Sequence, residues 1–253
     1  MARTETAGQI INDILIEEGV VDQVVSDPFS SQDPAVIQIR NLLIVAGRQL
    51  VQLHDWQILQ REYTRVTQTG DTGKYPLPDD FGRMIDQTGW SRDQRVYLPG
   101  SVTPQQWQYL KGRNLVSSTI YMVFREVENE FWVYPQPPDA EVPAPLTIAY
   151  EYISRNWAQD ADSVGGTPVY IDRVKASGDV VLFDPLVTSR FLRLKFREAR
   201  GKDTVAASTE WKQVFSMATG QDVGADALNV ANMTQPYPYL DMWRNTPDTG
   251  YGH

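Results

Sequence analysis

The sequence predicts an α+β protein: a helical bundle built from N-terminal and C-terminal helices, an inserted antiparallel β-rich domain, and an extended C-terminal arm. Apolar residues recur with helical spacing in residues 1–57 and again in residues 182–220. Between them, residues 58–181 alternate short β-branched and aromatic runs with turn residues, which is typical of antiparallel strands. Residues 221–253 keep no period but carry large apolar side chains, so we expect them to form the arm.

The N-terminal part of the bundle is predicted as two helices. The first runs from Thr4 to Glu18 and is followed by Gly19, a residue type favoured just after a helix. The second starts at Asp33-Pro34, where aspartate caps the helix and proline fits its first turn. Its apolar period lasts to Trp56, which corresponds to a length of roughly 35 Å.

Two predicted strands follow, Ile58 to Gln68 and Lys74 to Leu77, and the second leads into a proline-rich segment. Two prolines in this segment fix φ and remove two backbone donors, which favours a stretched chain that turns at Asp79-Asp80. We interpret the segment as a rigid strut that sets the β-rich domain against the bundle. The predicted junction residues are Trp56, Tyr75, Pro76, Leu77, Pro78 and Phe81.

The remainder of the β-rich domain is predicted from turn and strand signals. A short helix starts at Thr103-Pro104 and is closed by Gly112. The other predictions are a hairpin of Asp86–Trp90 with Gln94–Leu98, a hairpin of Thr119–Arg125 with Glu130–Tyr134, and a strand from Pro145 to Ile153. Tyr170 to Val174 fits either a short strand or an extended arm.

The C-terminal part of the bundle is predicted as an antiparallel helical hairpin. Asp184-Pro185 starts a helix that runs to Arg200 and is closed by Gly201. Asp203 starts a second helix, which ends at Gly220.

A basic stripe follows one face of the first of these two helices. It consists of Arg190, Arg193, Arg197 and Arg200. In an acidic chain, such a stripe is expected to face DNA, an acidic surface of a neighbouring subunit, or solvent, and the sequence leaves these alternatives open.

The C-terminal arm carries apolar anchors in a segment without helical or strand periodicity, which is typical of a segment that docks on a partner surface. The predicted docking residues are Tyr237, Tyr239, Leu240, Met242 and Trp243.

Composition limits the function classes. The chain of 253 residues has no cysteine, which excludes disulfides, a zinc ribbon and thiol catalysis. A net charge of −9 argues against a protein that grips nucleic acid over most of its surface, although nucleic acid could pass by it. The sequence has no signal pattern and no apolar run of the ~20 residues that a membrane helix needs. We therefore expect intracellular synthesis and no membrane contact.

Catalytic and metal-binding patterns are not evident. His54 and His253 are the only histidines, so His54 would have to serve any Ser-His-Asp triad. Its expected role is instead a hydrogen-bonded histidine on a helix. Acidic groups occur in three predicted turns, where solvated carboxylates are typical: Asp79-Asp80, Glu126 with Glu128 and Glu130, and Asp160 with Asp162. No cofactor, metal ion or enzymatic activity is expected.

Four segments together resemble the head-to-tail adaptor, or connector, proteins of short-tailed bacteriophages. The first is the long helix that ends in Leu53-x-x-Trp56 before a strand. The second is Tyr75-Pro76-Leu77-Pro78-Asp79-Asp80-Phe81, which is close to the family's Y-x-L-P-x-D-F. The third is Phe131 to Pro137 with a following strand that ends at Tyr150, and the fourth is the helical hairpin from Asp184.

This resemblance implies a structural virion protein of the phage neck, synthesised in the host cytoplasm. It implies a dodecameric ring that docks under the portal protein, extends the DNA channel and carries the tail nozzle or tail fibres. Genome DNA would pass through the channel without specific binding. The arm would embrace the portal or a neighbouring subunit.

The residues leave two alternatives from other function classes open. One is a β-sheet module with helical support that binds sugar or peptide through surface tryptophan and tyrosine. The other is a virion-associated cell-wall hydrolase that uses an acidic pair such as Glu128 and Glu130. A hydrolase requires acids that converge in a concave pocket, and a binding module would not need the helical hairpin after Asp184.

Overall fold

The computed structural model describes residues 4–67, 71–93, 95–113, 122–135, 146–163 and 167–223. Within these ranges the chain forms five α-helices and several antiparallel sheets, which confirms the predicted α+β class. In this part of the chain, no helix is both long and apolar enough to cross a membrane. The predicted arm lies outside the described residues from position 224 onward.

The three helices predicted from a capping residue followed by proline start at that proline, whereas the first helix starts three residues after the predicted Thr4. Five helices occur in the described residues. They are α1 (Ala7–Glu17), α2 (Pro34–Leu53), α3 (Pro104–Arg113), α4 (Pro185–Ala199) and α5 (Val205–Val223). The Ala35 amide donates to the Asp33 side chain at 2.7 Å, and the Leu186 amide donates to Asp184 at 2.8 Å. These bonds satisfy amides in the first turn that have no partner within the helix.

Glycine ends two of these helices but not the other two for which it was predicted. Gly19 and Gly201 take φ values of +64° and +63° just after α1 and α4, as expected for glycine at a helix end. The predictions for Gly112 and Gly220 are wrong, since α3 continues to Arg113 and α5 to Val223. Neither glycine adopts the left-handed conformation, and a helix interior tolerates one glycine at a cost of about 1 kcal/mol.

The strands form three antiparallel sheets. They are β1 (Glu5–Thr6), β2 (Gln60–Val66), β3 (Lys74–Pro76), β4 (Phe81–Met84), β5 (Trp90–Ser91), β6 (Val96–Tyr97), β7 (Val123–Val127), β8 (Glu130–Tyr134), β9 (Thr147–Ser154), β10 (Ala158–Gln159), β11 (Tyr170–Ile171) and β12 (Val180–Val181). The strand order of the first sheet is β1-β12-β10-β11, and that of the third is β3-β8-β7. The second sheet has the order β2-β9-β5-β6, with β4 also paired to β9.

Both predicted hairpins form. The first has shorter strands than predicted, whereas in the second β8 has the predicted bounds and β7 continues past Arg125 to Val127. The turn between β7 and β8 is Glu128-Asn129, and both residues have positive φ, as a two-residue turn of the primed kind requires. Strand β4 was not predicted, because Phe81-Gly82-Arg83-Met84 lacks a clear alternation of apolar and polar residues. The alternatives for residues 170–174 resolve to the short strand β11.

One hydrophobic cluster, which we call the helical core, lies among α1, α2 and α4. Its largest fully buried side chains include Ile10, Leu43 and Phe183. Helix α5 covers the core with side chains that stay partly exposed, among them Trp211 and Phe215. The four helices at the two ends of the chain therefore share one core.

The small sheet β1-β12-β10-β11 packs with the helices. Trp157, Ala158 and Val181 are fully buried in the helical core, and Ile153 at the end of β9 joins them. The sequence assigned residues 58–181 to the inserted domain, whereas packing places the part from about residue 153 onward with the helices.

A second cluster, the sheet core, lies between the larger sheets. Stacked rings run through it from Phe124 to Phe131 to Tyr150, with centroids 4.8 and 4.9 Å apart. Tyr75 and Ile148 are also buried there. The chain thus has two hydrophobic cores, and the contacts between them fix the position of the β-rich part relative to the helices.

Candidate functional site

A buried carboxylate at the end of α1 gathers the basic side chains of α4. Glu18 is only 2% exposed and accepts from Arg197 Nε at 2.6 Å, Arg193 Nε at 2.9 Å and Lys202 Nζ at 3.0 Å. Burial alone would raise the pKa of Glu18, but the hydrogen bonds from Arg197, Arg193 and Lys202 outweigh burial and lower the pKa to about 2. Glu18 is therefore ionised at any pH near neutral.

Two further carboxylates complete this cluster. Glu17 lies 2.6 Å from Arg190 and 2.8 Å from Arg193, and Glu210 of α5 lies 2.9 Å from Arg190 and 3.2 Å from Arg193. The spacing of the arginines along α4 puts them on one helix face. That face joins the end of α1 to α5, so the ion pairs hold three helices together.

The basic stripe therefore has a role within the chain. Arg190, Arg193 and Arg197 are paired with glutamates, and Arg200 lies over the Phe196 ring at 5.2 Å. These pairs are not evident from the sequence, because Glu17 and Glu18 lie far from the stripe along the chain and Glu210 belongs to the next helix. Contact of the same arginines with DNA or a neighbouring subunit stays a prediction.

Trp56 lies where α2 gives way to the first strand of the β-rich part. Its indole Nε1 donates to the Leu50 carbonyl at 2.8 Å, and its ring packs against Phe183 and against Phe215 of α5. Asp222 near the end of α5 lies 3.2 Å from His54 Nε2 and accepts from the Gln57 amide at 3.0 Å. The end of α5 is thus fixed beside the end of α2, and His54 is hydrogen-bonded as expected.

Arg83 makes the main polar link between the β-rich part and α2. From strand β4 it donates to the Val51 carbonyl at 3.0 Å, to the His54 carbonyl at 3.1 Å and to Asp55. It thereby satisfies carbonyls at the end of α2, where a cation also favours the helix dipole. Arg83 is not among the predicted junction residues and no motif marks it, although it lies close to Phe81 in the predicted junction.

The other predicted junction residues lie inside the β-rich part. Tyr75 is buried in the sheet core, and Leu77 and Phe81 pack against that core. Phe81 stacks on Tyr152 with centroids 5.6 Å apart. The proline-rich segment therefore braces the sheet core, while Trp56 belongs to the helical core and Arg83 joins the two parts.

One member of each acidic group has a structural partner. The prediction that all of them lie in turns is wrong for Glu126 and Glu130, which belong to β7 and β8. Asp80 accepts from Tyr152 Oη at 2.8 Å and from Ser154 Oγ at 2.7 Å, and burial together with Asp80 raises the pKa of Tyr152. Glu130 accepts from Trp132 Nε1 at 2.8 Å. Asp160 accepts from the Asp162 amide at 2.9 Å. No group of three or more potential metal ligands occurs in the described ranges.

The junction gives a direct prediction. Arg83→Met keeps the length of the side chain but removes its donors, so three acceptors at the end of α2 lose their partner. Because Arg83 is 37% exposed, we expect a loss of about 1–2 kcal/mol in the free energy of unfolding, measured by urea denaturation. Arg92→Met is the matched control, since Arg92 pairs with Glu62 at a half-exposed site and should cost less than about 0.5 kcal/mol. Equal losses in both variants would contradict the role of Arg83.

The predicted docking residues Tyr237, Tyr239, Leu240, Met242 and Trp243 lie outside the described residues. In the described part, the polar clusters named above join the chain's own helices and strands rather than line a catalytic centre. These features define an α+β protein in which ion pairs and hydrogen bonds join the helices to each other and to the sheets.

Comparison with known protein families identifies the family to which this α+β protein belongs. The family model described as SU10 adaptor protein matches residues 6–236, which is most of the chain, and the chain belongs to this family. The match confirms the resemblance to phage head-to-tail adaptors. A comparison with curated proteins gives no significant match. Membership in a family of structural adaptors implies a non-enzymatic role.

Proposed function

We propose that the chain is one subunit of a dodecameric ring in the phage neck, docked under the portal protein. The ring extends the DNA channel and carries the tail nozzle or tail fibres. Support comes from the family match over residues 6–236 and from a fold in which helices at both ends of the chain share one core. The chain is made in the host cytoplasm and enters the virion during assembly.

The observation that carries this proposal is the position at which the arm begins. Asp222 fixes the end of α5 to His54 and Gln57, next to Arg83 and the β-rich part. The arm therefore starts from a rigid point between the two parts of the subunit. Its docking residues, Tyr237 and those that follow, lie just beyond the matched range and would contact the portal or a neighbouring subunit.

Charge favours a channel that lets DNA pass without specific binding. The chain has a net charge of −9, and the arginine stripe on α4 is largely neutralised by Glu17, Glu18 and Glu210. A surface of this kind repels phosphates instead of holding them.

Deletion of residues 228–253 tests the proposal. The described members of both cores all precede residue 224, so we expect the shortened chain to keep the urea midpoint of the full chain. Attachment to the portal complex, measured by co-sedimentation, should fall by at least about tenfold, because the apolar anchors are lost.

Two matched variants of the full-length chain show whether attachment depends on the apolar side chains of the arm or on its length. Alanine at Tyr239, Leu240 and Trp243 should reproduce the loss of attachment. Alanine at Asn245, Thr246 and Thr249 in the same arm should leave attachment within about twofold, since small polar side chains contribute little at interfaces. Full attachment of the shortened chain would show that the arm does not dock on the portal.

A further inference from the structure

A row of two cations and an indole crosses the outer face of the sheet β3-β8-β7. The strand register places Trp132 between Lys74 and Arg125, so the three side chains lie on one face. Neighbouring residues of the same strands, such as Tyr75 and Phe131, point to the other face and are buried in the sheet core. The row therefore faces away from that core.

Helix α3 adds a second lysine and a second indole to this face. Lys111 Nζ lies 5.4 Å from the ring centroid of Trp107 and 5.8 Å from that of Trp132, while Lys74 Nζ lies 4.1 Å from Trp132. Trp107 is 3% exposed, and its indole N–H has no hydrogen-bond acceptor among the residues that the structure describes. We call Lys74, Lys111, Arg125, Trp107 and Trp132 the basic platform.

Among the described residues, the cations of the basic platform have no carboxylate partner. Lys74 and Lys111 are exposed, and neither lysine nor Arg125 forms an ion pair within the described ranges, unlike Lys202, which pairs with Glu18. A cation over an indole is held in place by the ring but keeps its full charge. In a chain with a net charge of −9, such a surface is suited to receive an anionic group.

The surroundings of the platform favour a protein partner over DNA. Glu130 accepts from Trp132 Nε1, and Glu128 is exposed in the adjoining turn. A duplex carries negative charge along its whole length and would bring phosphates against these carboxylates. A patch with tryptophan at its centre and mixed charges at its edge is instead typical of protein interfaces.

A complementary surface lies among the helices. Glu5 of β1, Asp13 of α1 and Asp184 before α4 line a hollow of about 500 Å³, and none of the three forms an ion pair in the described part of the chain. Burial, Asp13 and Asp184 raise the pKa of Glu5, while Asp184 itself accepts from the Leu186 and Val187 amides at the start of α4. Leu186, which is 50% exposed, gives the hollow an apolar edge.

We propose that the basic platform of one copy of the chain docks on this acidic hollow of a second copy. The two surfaces differ and belong to different parts of the subunit, so their contact is head-to-tail and can repeat around a ring. The opposite charges of the two surfaces determine how they align, and Trp132 and Leu186 add apolar surface that the contact buries. This inference rests on the proposed function, because the ring is what places copies side by side.

Disulfide trapping tests the contact, since the chain has no cysteine of its own. Val127→Cys is placed on the outer face of β7 beside the platform, and Ser189→Cys lines the hollow, so neither substitution removes a charge. Particles assembled with both single variants should yield a mixed disulfide after mild oxidation. Particles assembled with either variant alone should yield none.

Control variants make the result specific. Ala206→Cys, near the opposite end of the α4–α5 pair from Ser189, should give no disulfide with Val127→Cys. Incorporation of all variants without the mixed disulfide would overturn the docking contact. Failure of the unmodified chain to enter particles would overturn the proposed function instead, so the two outcomes are distinguishable.

Charge reversal provides the second test. Lys74→Glu with Lys111→Glu, or Asp13→Lys with Asp184→Asn, should each lower the trapped fraction at least about tenfold, because like charges then meet. Combining both pairs of changes should restore trapping. If the lysine reversals leave trapping unchanged but abolish binding of a labelled DNA duplex measured by fluorescence anisotropy, the platform is a phosphodiester site and the docking proposal fails.

Discussion

Trp157→Ala is expected to lower the free energy of unfolding by about 3–5 kcal/mol, a large part of the stability of an ordinary domain. The indole is fully buried in the helical core, where it stacks on Phe183. Its Nε1 donates to the Asp172 carbonyl at 2.8 Å, so the substitution also leaves a partly buried acceptor without its donor. Urea denaturation followed by circular dichroism measures the loss.

Gly47 provides the matched variant for this prediction. A Cβ at Gly47 would lie 2.3 Å from the Trp157 ring, so the ring packs directly on the backbone of α2. Gly47→Ala should therefore destabilise the chain by about 1–3 kcal/mol, although alanine is the better helix former.

The double variant Gly47→Ala with Trp157→Ala shows whether the two substitutions act through the contact between these residues or destabilise the chain independently. With alanine at residue 157, the added methyl at residue 47 has room, so its cost should largely disappear and the two losses should not add. Additive losses within about 0.5 kcal/mol would show that the two residues do not act through one contact. If Trp157→Ala lowers the free energy of unfolding by less than about 1 kcal/mol, the Trp157 ring is not buried in the helical core.

The helices could be predicted because their signals are local. Asp33-Pro34 and Asp184-Pro185 combine a capping side chain with a proline in the first turn, and both start helices in the structure. Gly19 and Gly201 mark helix ends because their left-handed φ disfavours other residues. Such signals lie within one or two turns of the element that they define.

The packing partners could not be predicted, because they are distant along the chain. Nothing near Gly47 indicates that the Trp157 ring lies against it, and nothing near Arg193 indicates Glu18. The same limit explains Arg83, whose acceptors belong to α2. A single sequence shows which side chains are charged or apolar, and their partners emerge only with the tertiary fold.

The internal pairing of the arginine stripe changes which surface is available for partners. The spacing along α4 made Arg190, Arg193, Arg197 and Arg200 candidates for contact with DNA or a neighbouring subunit. The first three of these cations already have carboxylate partners. Lys74 and Lys111 have none in the described ranges, although two isolated lysines gave no pattern in the sequence. Unpaired charge, which depends on the fold, is therefore the better guide to an assembly surface than charge spacing along a helix.

Glu18→Gln is expected to lower the free energy of unfolding by about 3 kcal/mol at pH 7. The pKa of Glu18 is about 2 in the folded chain, against an ordinary value of 4.5, and each unit of difference corresponds to roughly 1.4 kcal/mol. Glutamine keeps the shape but cannot hold three cations, so Arg193, Arg197 and Lys202 lose the charge that they surround. Chemical denaturation at fixed pH gives the difference.

The pH dependence of this loss identifies its cause. A folded pKa below the unfolded one means that the ionised carboxylate stabilises the chain fully above about pH 4.5, and that this stabilisation is lost as pH falls towards 2. The gap between the original chain and Glu18→Gln should therefore stay constant from pH 8 to about 5 and then shrink. Glu198→Gln, at a half-exposed pair with Lys195, should cost less than about 0.5 kcal/mol at every pH. If the difference in the free energy of unfolding between the two chains does not shrink in acid, the charge of Glu18 is not what stabilises the chain. Glu18 would then act through packing.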